Sequence, residues 1–169
     1  MGEREAGLSD EVVIRELHGL EEMMSTFPLR RQEAPSRTES LFRERTEAML
    51  AGGFRCIAAY VGDRMVGVSG FWVGTQMWCG KYIEPDGVVV DAEMRSLGIG
   101  GKLMDWVEAE GERLGCTMMR VAMVLGKERT KRFYNRNGFS DDGLILVKPL
   151  SLGEAEFPEY LQQKRQPKD

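Results

Sequence analysis

The chain has 169 residues, and 23 lysines and arginines against 27 aspartates and glutamates leave it a formal charge of −4. At roughly 100–200 residues per domain this length predicts a single domain over residues 1–169, and a composition 42% hydrophobic and 30% charged excludes wholesale disorder. An acidic chain is a poor generic partner for nucleic acid, because phosphate neutralisation needs a cationic surface.

No window of about 18 uncharged apolar residues is present, so no membrane span is expected. The start, Met1-Gly2-Glu3-Arg4-Glu5-Ala6, is charged and lacks the apolar stretch of a signal peptide. Ala6 stands where a myristoylation signal on Gly2 needs Ser or Thr. Cys56, Cys79 and Cys116 are scattered and odd in number, which predicts neither a disulfide framework nor a CxxC metal site. His18 is the single histidine, so zinc catalysis is not expected. Together these features predict a reduced, cytoplasmic chain without a metal and without a nucleic-acid or membrane partner.

In chain order, Val12 to Leu17 reads as a short strand, and about Gly19 to Phe27 as a helix with Leu20, Met23, Met24 and Phe27 on one side. Pro28 and Pro35 bracket a break. A second helix is predicted over about Arg37 to Leu50, ended by Gly52-Gly53, with Arg43, Glu44, Arg45 and Glu47 as a solvated face. Phe54 to Val61 and Met65 to Val73 flank Gly62-Asp63-Arg64 as a hairpin. A long strand follows from about Trp78 to Val90. Ile99 to Leu114 is a strong amphipathic helix closed by Gly115. Thr117 to Leu125 reads as a buried strand, about Lys127 to Asn137 as a helix stopped by Gly138, and Leu144 to Leu150 as a last strand. The core is placed at about 12–150. The tail 151–169, with Phe157 and Tyr160, is expected to be partly flexible. Elements in this order predict an α/β (α+β) fold, a mixed sheet with helices on both faces.

The informative segment is Val88-Val89-Val90-Asp91-Ala92-Glu93-Met94-Arg95-Ser96-Leu97-Gly98-Ile99-Gly100-Gly101-Lys102-Leu103. A strand runs into a loop, and the loop into a helix whose start is rich in glycine. Amides at a helix N-terminus lack internal partners, and the helix dipole adds partial positive charge, so this is an anion cradle. The Walker pattern fails, because Leu103 follows Lys102 and Ser96 replaces the first glycine. The dinucleotide pattern GxGxxG fails at Leu103 and lies too late in the chain. The pattern R-x-x-G-x-G is met in full by Arg95-Ser96-Leu97-Gly98-Ile99-Gly100.

That segment resembles the acyl-CoA-binding motif of the GNAT superfamily of N-acetyltransferases. Phe133-Tyr134-Asn135-Arg136-Asn137-Gly138-Phe139 resembles the family's (F/L)-Y-x-x-x-G-F segment, and the element order is similar to the family's fold. The resemblance implies a central mixed sheet with a splayed strand pair that binds acetyl-CoA. It places the pyrophosphate on Arg95, Ser96, Leu97, Gly98, Ile99, Gly100, Gly101 and Lys102. It places the pantetheine arm on the main chain of Val88, Val89 and Val90. Two positions depart from the common pattern: Lys127 stands where many relatives have Asn, and Ala92 where many have Pro.

Acetyl transfer to an amine needs a base, because an alkyl amine with a pKa near 10 arrives protonated. Glu84 and Asp86 lie on the strand entering the motif, and period 2 predicts both on one face with Val88 and Val90. Asp86 aligns with an acidic position that serves as base in some family members, and Glu84 is second to it. Tyr134 is the candidate acid, either donating to the leaving thiolate or only positioning the cofactor sulfur. An amide near Val89 or Val90 is the candidate polariser of the thioester carbonyl. His18 lies far from these motifs in sequence. Cys79 and Cys116 read as small apolar filler, and Met118, Met119 and Met123 as strand core. Trp72, Trp78 and Tyr82 either line an acceptor pocket or fill space. Arg30, Arg31 and Arg37 read as a solvated face rather than a site for an acidic acceptor.

The expected function is acetyl-CoA-dependent N-acetylation of a small-molecule primary amine, with CoA as product. The alternatives are a protein or peptide N-acetyltransferase and a CoA-binding regulatory domain without turnover. Homodimerisation is left open.

Overall fold

The structure is a computed structural model and describes residues 11–147. Five strands form one sheet in the order β1-β2-β3-β4-β5. They are β1 Val12–Leu17, β2 Arg55–Val61, β3 Arg64–Gln76, β4 Gly80–Val90 and β5 Met118–Met119. The first four are antiparallel neighbours and β5 runs parallel to β4, so the sheet is mixed. The helices are α1 Gly19–Met24, α2 Phe27–Arg30, α3 Glu39–Ala51, α4 Ile99–Arg113 and α5 Glu128–Arg136. Among the described residues no helix is long and apolar enough to cross a membrane.

Both faces of the sheet are covered, which is why β2 and β3 read as continuous apolar runs rather than alternating ones. Ile57, Ala59, Val66, Phe71 and Ile83 face α4, where they meet Ile99, Leu103, Met104 and Val107. Cys56, Ala58, Val68 and Val89 face the other way and meet Leu17, Met23, Leu29 and Phe54. The predicted α/β layering is thus present.

Three expectations need correction. The helix read over Gly19 to Phe27 is broken at Ser25 and Thr26, and Pro28 lies inside α2 rather than in a break. Proline fits the first turn of a helix, where its missing N–H costs nothing. The strand read over Thr117 to Leu125 forms a ladder only at Met118 and Met119. Val121 and Met123 still pack on the α4-side core, but their backbone has left its neighbour. Leu144 to Val147 are not a strand and are exposed; the rest of that predicted strand, Lys148 to Leu150, and the tail with Phe157 and Tyr160 lie outside the described residues.

One ion-pair network ties β1, β2 and α4 together. Arg55 donates to both oxygens of Glu16 at 2.7 Å and to Glu110 at 2.6 Å. Arg113 donates to Glu110 twice at 2.7 Å. Glu110 is buried on α4, and hydrogen bonds from Arg113 and then Arg55 hold its carboxyl down at about 2, against the cost of its burial. A depressed folded pKa stabilises fully above the unfolded value and is lost as pH falls through the folded one. Thermal unfolding should therefore show a midpoint that drops between about pH 4.5 and 2. Glu110→Gln should lower the midpoint by several degrees at pH 7 and flatten that acid dependence.

Candidate active site

The site begins where two parallel strands part. β4 and β5 pair only at Tyr82 with Met118 and Ile83 with Met119. The last rung is Arg120 N–H to Ile83 O at 3.0 Å. The Arg120 guanidinium seals this joint: it donates to Glu84 at 2.7 Å and lies 3.9 Å from the centre of the Tyr82 ring. Beyond Ile83 no backbone hydrogen bond joins β4 to residues 121–125, so among the described residues that edge of β4 is open. A cavity of about 430 Å³ fills the opening, and its lining includes Trp72, Tyr82, Glu84, Asp86, Val121 and Tyr134.

An irregularity in β4 decides which side chains face this cavity. Gly70 pairs with Asp86 but Val68 pairs with Val89, so β4 carries one residue more than β3 across the same span. The extra residue is a β-bulge at Gly87, whose φ of 65° is left-handed and suits glycine. A bulge reverses the period-2 parity. Glu84 and Asp86 share one face, as expected, and both line the cavity. Val88 and Val90 do not share it: they pack on the α4-side core, while Val89 is buried on the opposite one. Trp72 Nε1 donates to Asp86 at 3.0 Å, and Asp86 makes no ion pair with a described residue.

The glycine-rich loop is held from three sides. Arg64, the first residue of β3, donates to Asp91 at 2.7 Å and to Glu93 at 2.8 Å. That hydrogen bond holds the Asp91 carboxyl below its usual range. Gln32, after α2, accepts from Ala92 N–H at 3.0 Å. Arg95 donates to the Val90 carbonyl at 3.3 Å. The chain then enters α4 through Gly98, with φ 80° and no side-chain cap. The first bond back into the helix is Lys102 N–H to Gly98 O at 3.1 Å. The amides before it, Ile99, Gly100 and Gly101, make no backbone bond among the described residues, and Arg95 and Lys102 are exposed beside them. Free amides, a helix N-terminus and two cations fit a diphosphate.

Tyr134 comes from α5 and is buried between Phe133 and Phe139, both edge-on to its ring. Burial pushes its phenol up to about 12, helped by the negative charges of Glu33 and Asp86. No described residue hydrogen-bonds its hydroxyl, although the side chain lines the cavity. A buried hydroxyl without a partner is costly, and among the described residues this one has none, while the cavity beside it leaves room for a ligand or water.

The structure therefore gathers Tyr134, Asp86 and Glu84 on one cavity, with the loop Arg95 to Lys102 and the main chain of Val88 to Val90 adjoining the same strand. Trp72 and Tyr82 line the cavity as well. Trp78 does not: it is exposed and donates to Gln76 at 2.7 Å. His18 is exposed at the start of α1, where its N–H donates to Glu22 at 2.7 Å. Lys127 caps α5 without a side-chain bond. Sequence reasoning missed Arg120, Gln32 and Arg64. Only Arg120 left a signal, as the single charge in an apolar run, since a charge there needs a partner.

Known proteins share this fold. The family model described as the acetyltransferase (GNAT) family matches residues 18–139. An aminoglycoside N-acetyltransferase solved with CoA is similar with a TM-score of 0.74 at 15% identity, over 87% of this chain and 99% of that one. A ribosomal-protein-alanine N-acetyltransferase from Brucella melitensis biovar Abortus gives 0.71 at 19% identity, over 83% of this chain and 100% of that one. A glucosamine-6-phosphate N-acetyltransferase from Arabidopsis thaliana gives 0.65 at 19% identity, over 83% and 99%. At these identities the likeness is one of fold.

The left-handed entry into α4 yields a stability test. Gly98→Val should cost about 1–2 kcal/mol, because Cβ of a branched residue clashes in that conformation, whereas Gly98→Asn should cost less. Thermal unfolding of the two variants beside the parent checks the order.

Proposed function

The chain belongs to the acetyltransferase (GNAT) family, and we propose that it transfers an acetyl group from acetyl-CoA to a primary amine of a small molecule by direct attack. One observation carries this reading. Asp86, without an ionic partner, and Tyr134, without a hydrogen-bond partner for its hydroxyl, both among the described residues, meet on the cavity at the edge of β4.

Acetyl-CoA, when bound, supplies an acetyl group activated as a thioester. The amides from Gly98 to Gly101 hold its diphosphate, with Arg95 and Lys102 as flanking cations. The main chain of Val88 to Val90 takes the pantetheine arm as an added strand. An amide of the same stretch, near Val89 or Val90, polarises the acyl carbonyl. Asp86 takes the proton of the incoming ammonium, directly or through water. Glu84 is second to it, since Arg120 already occupies that carboxylate. Tyr134 keeps its proton throughout the neutral range and offers it to the leaving sulfur.

Thermal unfolding with acetyl-CoA tests the binding half, with ATP and NAD as controls. Acetyl-CoA at 100 times its Kd should add about 2.7 kcal/mol, a rise of several degrees. No rise would end the reading. Thiol release across an amine panel tests turnover, and binding without release would leave a CoA-binding domain. Tyr134→Phe should lower kcat roughly 10²-fold with KM for acetyl-CoA little changed. Asp86→Asn should lower kcat/KM most at neutral pH. The loss should shrink toward pH 10, where the free amine no longer needs a base.

A further inference from the structure

Arg30 is not the solvated cation that its sequence context predicts. It stands at the end of α2 with its guanidinium directed inward by three acceptors. Nε donates to Oγ1 of buried Thr26 at 3.3 Å, and Nη2 to Sγ of fully buried Cys56 at 3.6 Å. Nη1 donates to the carbonyl of Gly87 at 2.9 Å. Arg30 makes no ion pair with a described residue. Drawing a guanidinium into a half-buried place without a carboxylate costs solvation, and only well-directed hydrogen bonds offset it.

The carbonyl it holds is that of the bulge. Gly87 and Val88 have no register partner on β3, so the peptide between them lies outside the regular ladder. That peptide is planar and trans, so fixing its carbonyl on one edge fixes the Val88 N–H on the other. The fit is tight: a Cβ at Gly87 would lie 2.4 Å from Arg30 Nη1. Thr26 and Cys56 hold the planar fork in register, which a lysine could not reproduce.

We propose that Arg30 is a positioning residue that sets the Gly87–Val88 peptide and, through it, aims the unpaired amides of the open strand at the acyl group. The inference rests on the acetyl-transfer reading above. Arg30 is not among the residues that line the cavity, so its removal should change the rate of the chemical step rather than cofactor binding.

The test compares Arg30→Met, Arg30→Lys, Arg30→Ala and Gly87→Ala with the parent, and uses Arg31→Gln on the same turn as the charge control. Arg30→Met should lower kcat roughly 10- to 100-fold, the scale of a misplaced carbonyl-polarising donor. KM for acetyl-CoA should stay within about threefold, and the acetyl-CoA thermal shift should persist. Arg30→Lys should not restore the rate, Gly87→Ala should reproduce the loss, and methylguanidinium should restore part of the rate of Arg30→Ala. In 15N-labelled protein the Val88 amide resonance should move in Arg30→Met and Arg30→Lys, while Arg31→Gln leaves resonance and kcat alone. Unchanged kcat in Arg30→Met, or a fall matched by an equal loss of acetyl-CoA binding, overturns the proposal. If the parent binds acetyl-CoA but turns over no amine, the transfer reading fails separately; an unmoved Val88 resonance in either Arg30 variant then still overturns the positioning role.

Discussion

The joint at Arg120 is the interaction on which the site depends. A parallel ladder normally continues until one strand ends, because each unpaired backbone group near the interior is costly. Here it stops after two pairs. Arg120 makes the stop stable: its amide completes the last rung, its guanidinium meets Glu84, and its face covers Tyr82. The chain beyond it keeps Val121 and Met123 on the core, so the divergence loses main-chain bonds without losing apolar burial. What remains is a stretch of β4 edge that has no backbone partner among residues 121–125 and faces a cavity. An edge of that kind can take an extended ligand as an added strand.

The bulge at Gly87 divides β4 into two halves with opposite duties. Before it, Glu84 and Asp86 point to the cavity. After it, Val88 and Val90 anchor the strand on the α4 side and Val89 anchors it on the other. The strand is therefore wedged between two cores just where it has lost its neighbour. The loop that follows is clamped by Arg64, Gln32 and Arg95, and α4 is fastened at its far end through Glu110. Cradle amides held in this way need little reordering to meet an anion, which is the physical basis of preorganised binding.

Much of this was legible from sequence, wherever one side chain or one local pattern carries the signal. Gly98 and Gly100 after Arg95, ahead of an amphipathic run, specify a helix start open to anions, because glycine conformations and free amides are local properties. Tyr134 was legible only through the resemblance of the segment Phe133 to Phe139 to a family motif, and the common face of Glu84 and Asp86 followed from strand period. The fate of Val88 and Val90 was not, since a single inserted residue reverses parity and its place is set by register against β3. The apolar run Thr117 to Leu125 misled for a related reason. Burial and ladder pairing usually go together, and here the core keeps the first while geometry removes the second.

The sequence by itself determined the layered α/β class and a glycine-rich helix start, because periodicity and glycine placement are written residue by residue; Tyr134 and Asp86 were singled out through the family resemblance. The tertiary structure alone decided that Arg120 ends the ladder and pairs with Glu84, and that Arg30 turns inward to the Gly87 carbonyl. Each of these is a contact between residues 26 to 57 positions apart, such as Arg30 with Gly87 and Arg120 with Glu84. Whether a charge is solvated or directed depends on what the fold brings beside it.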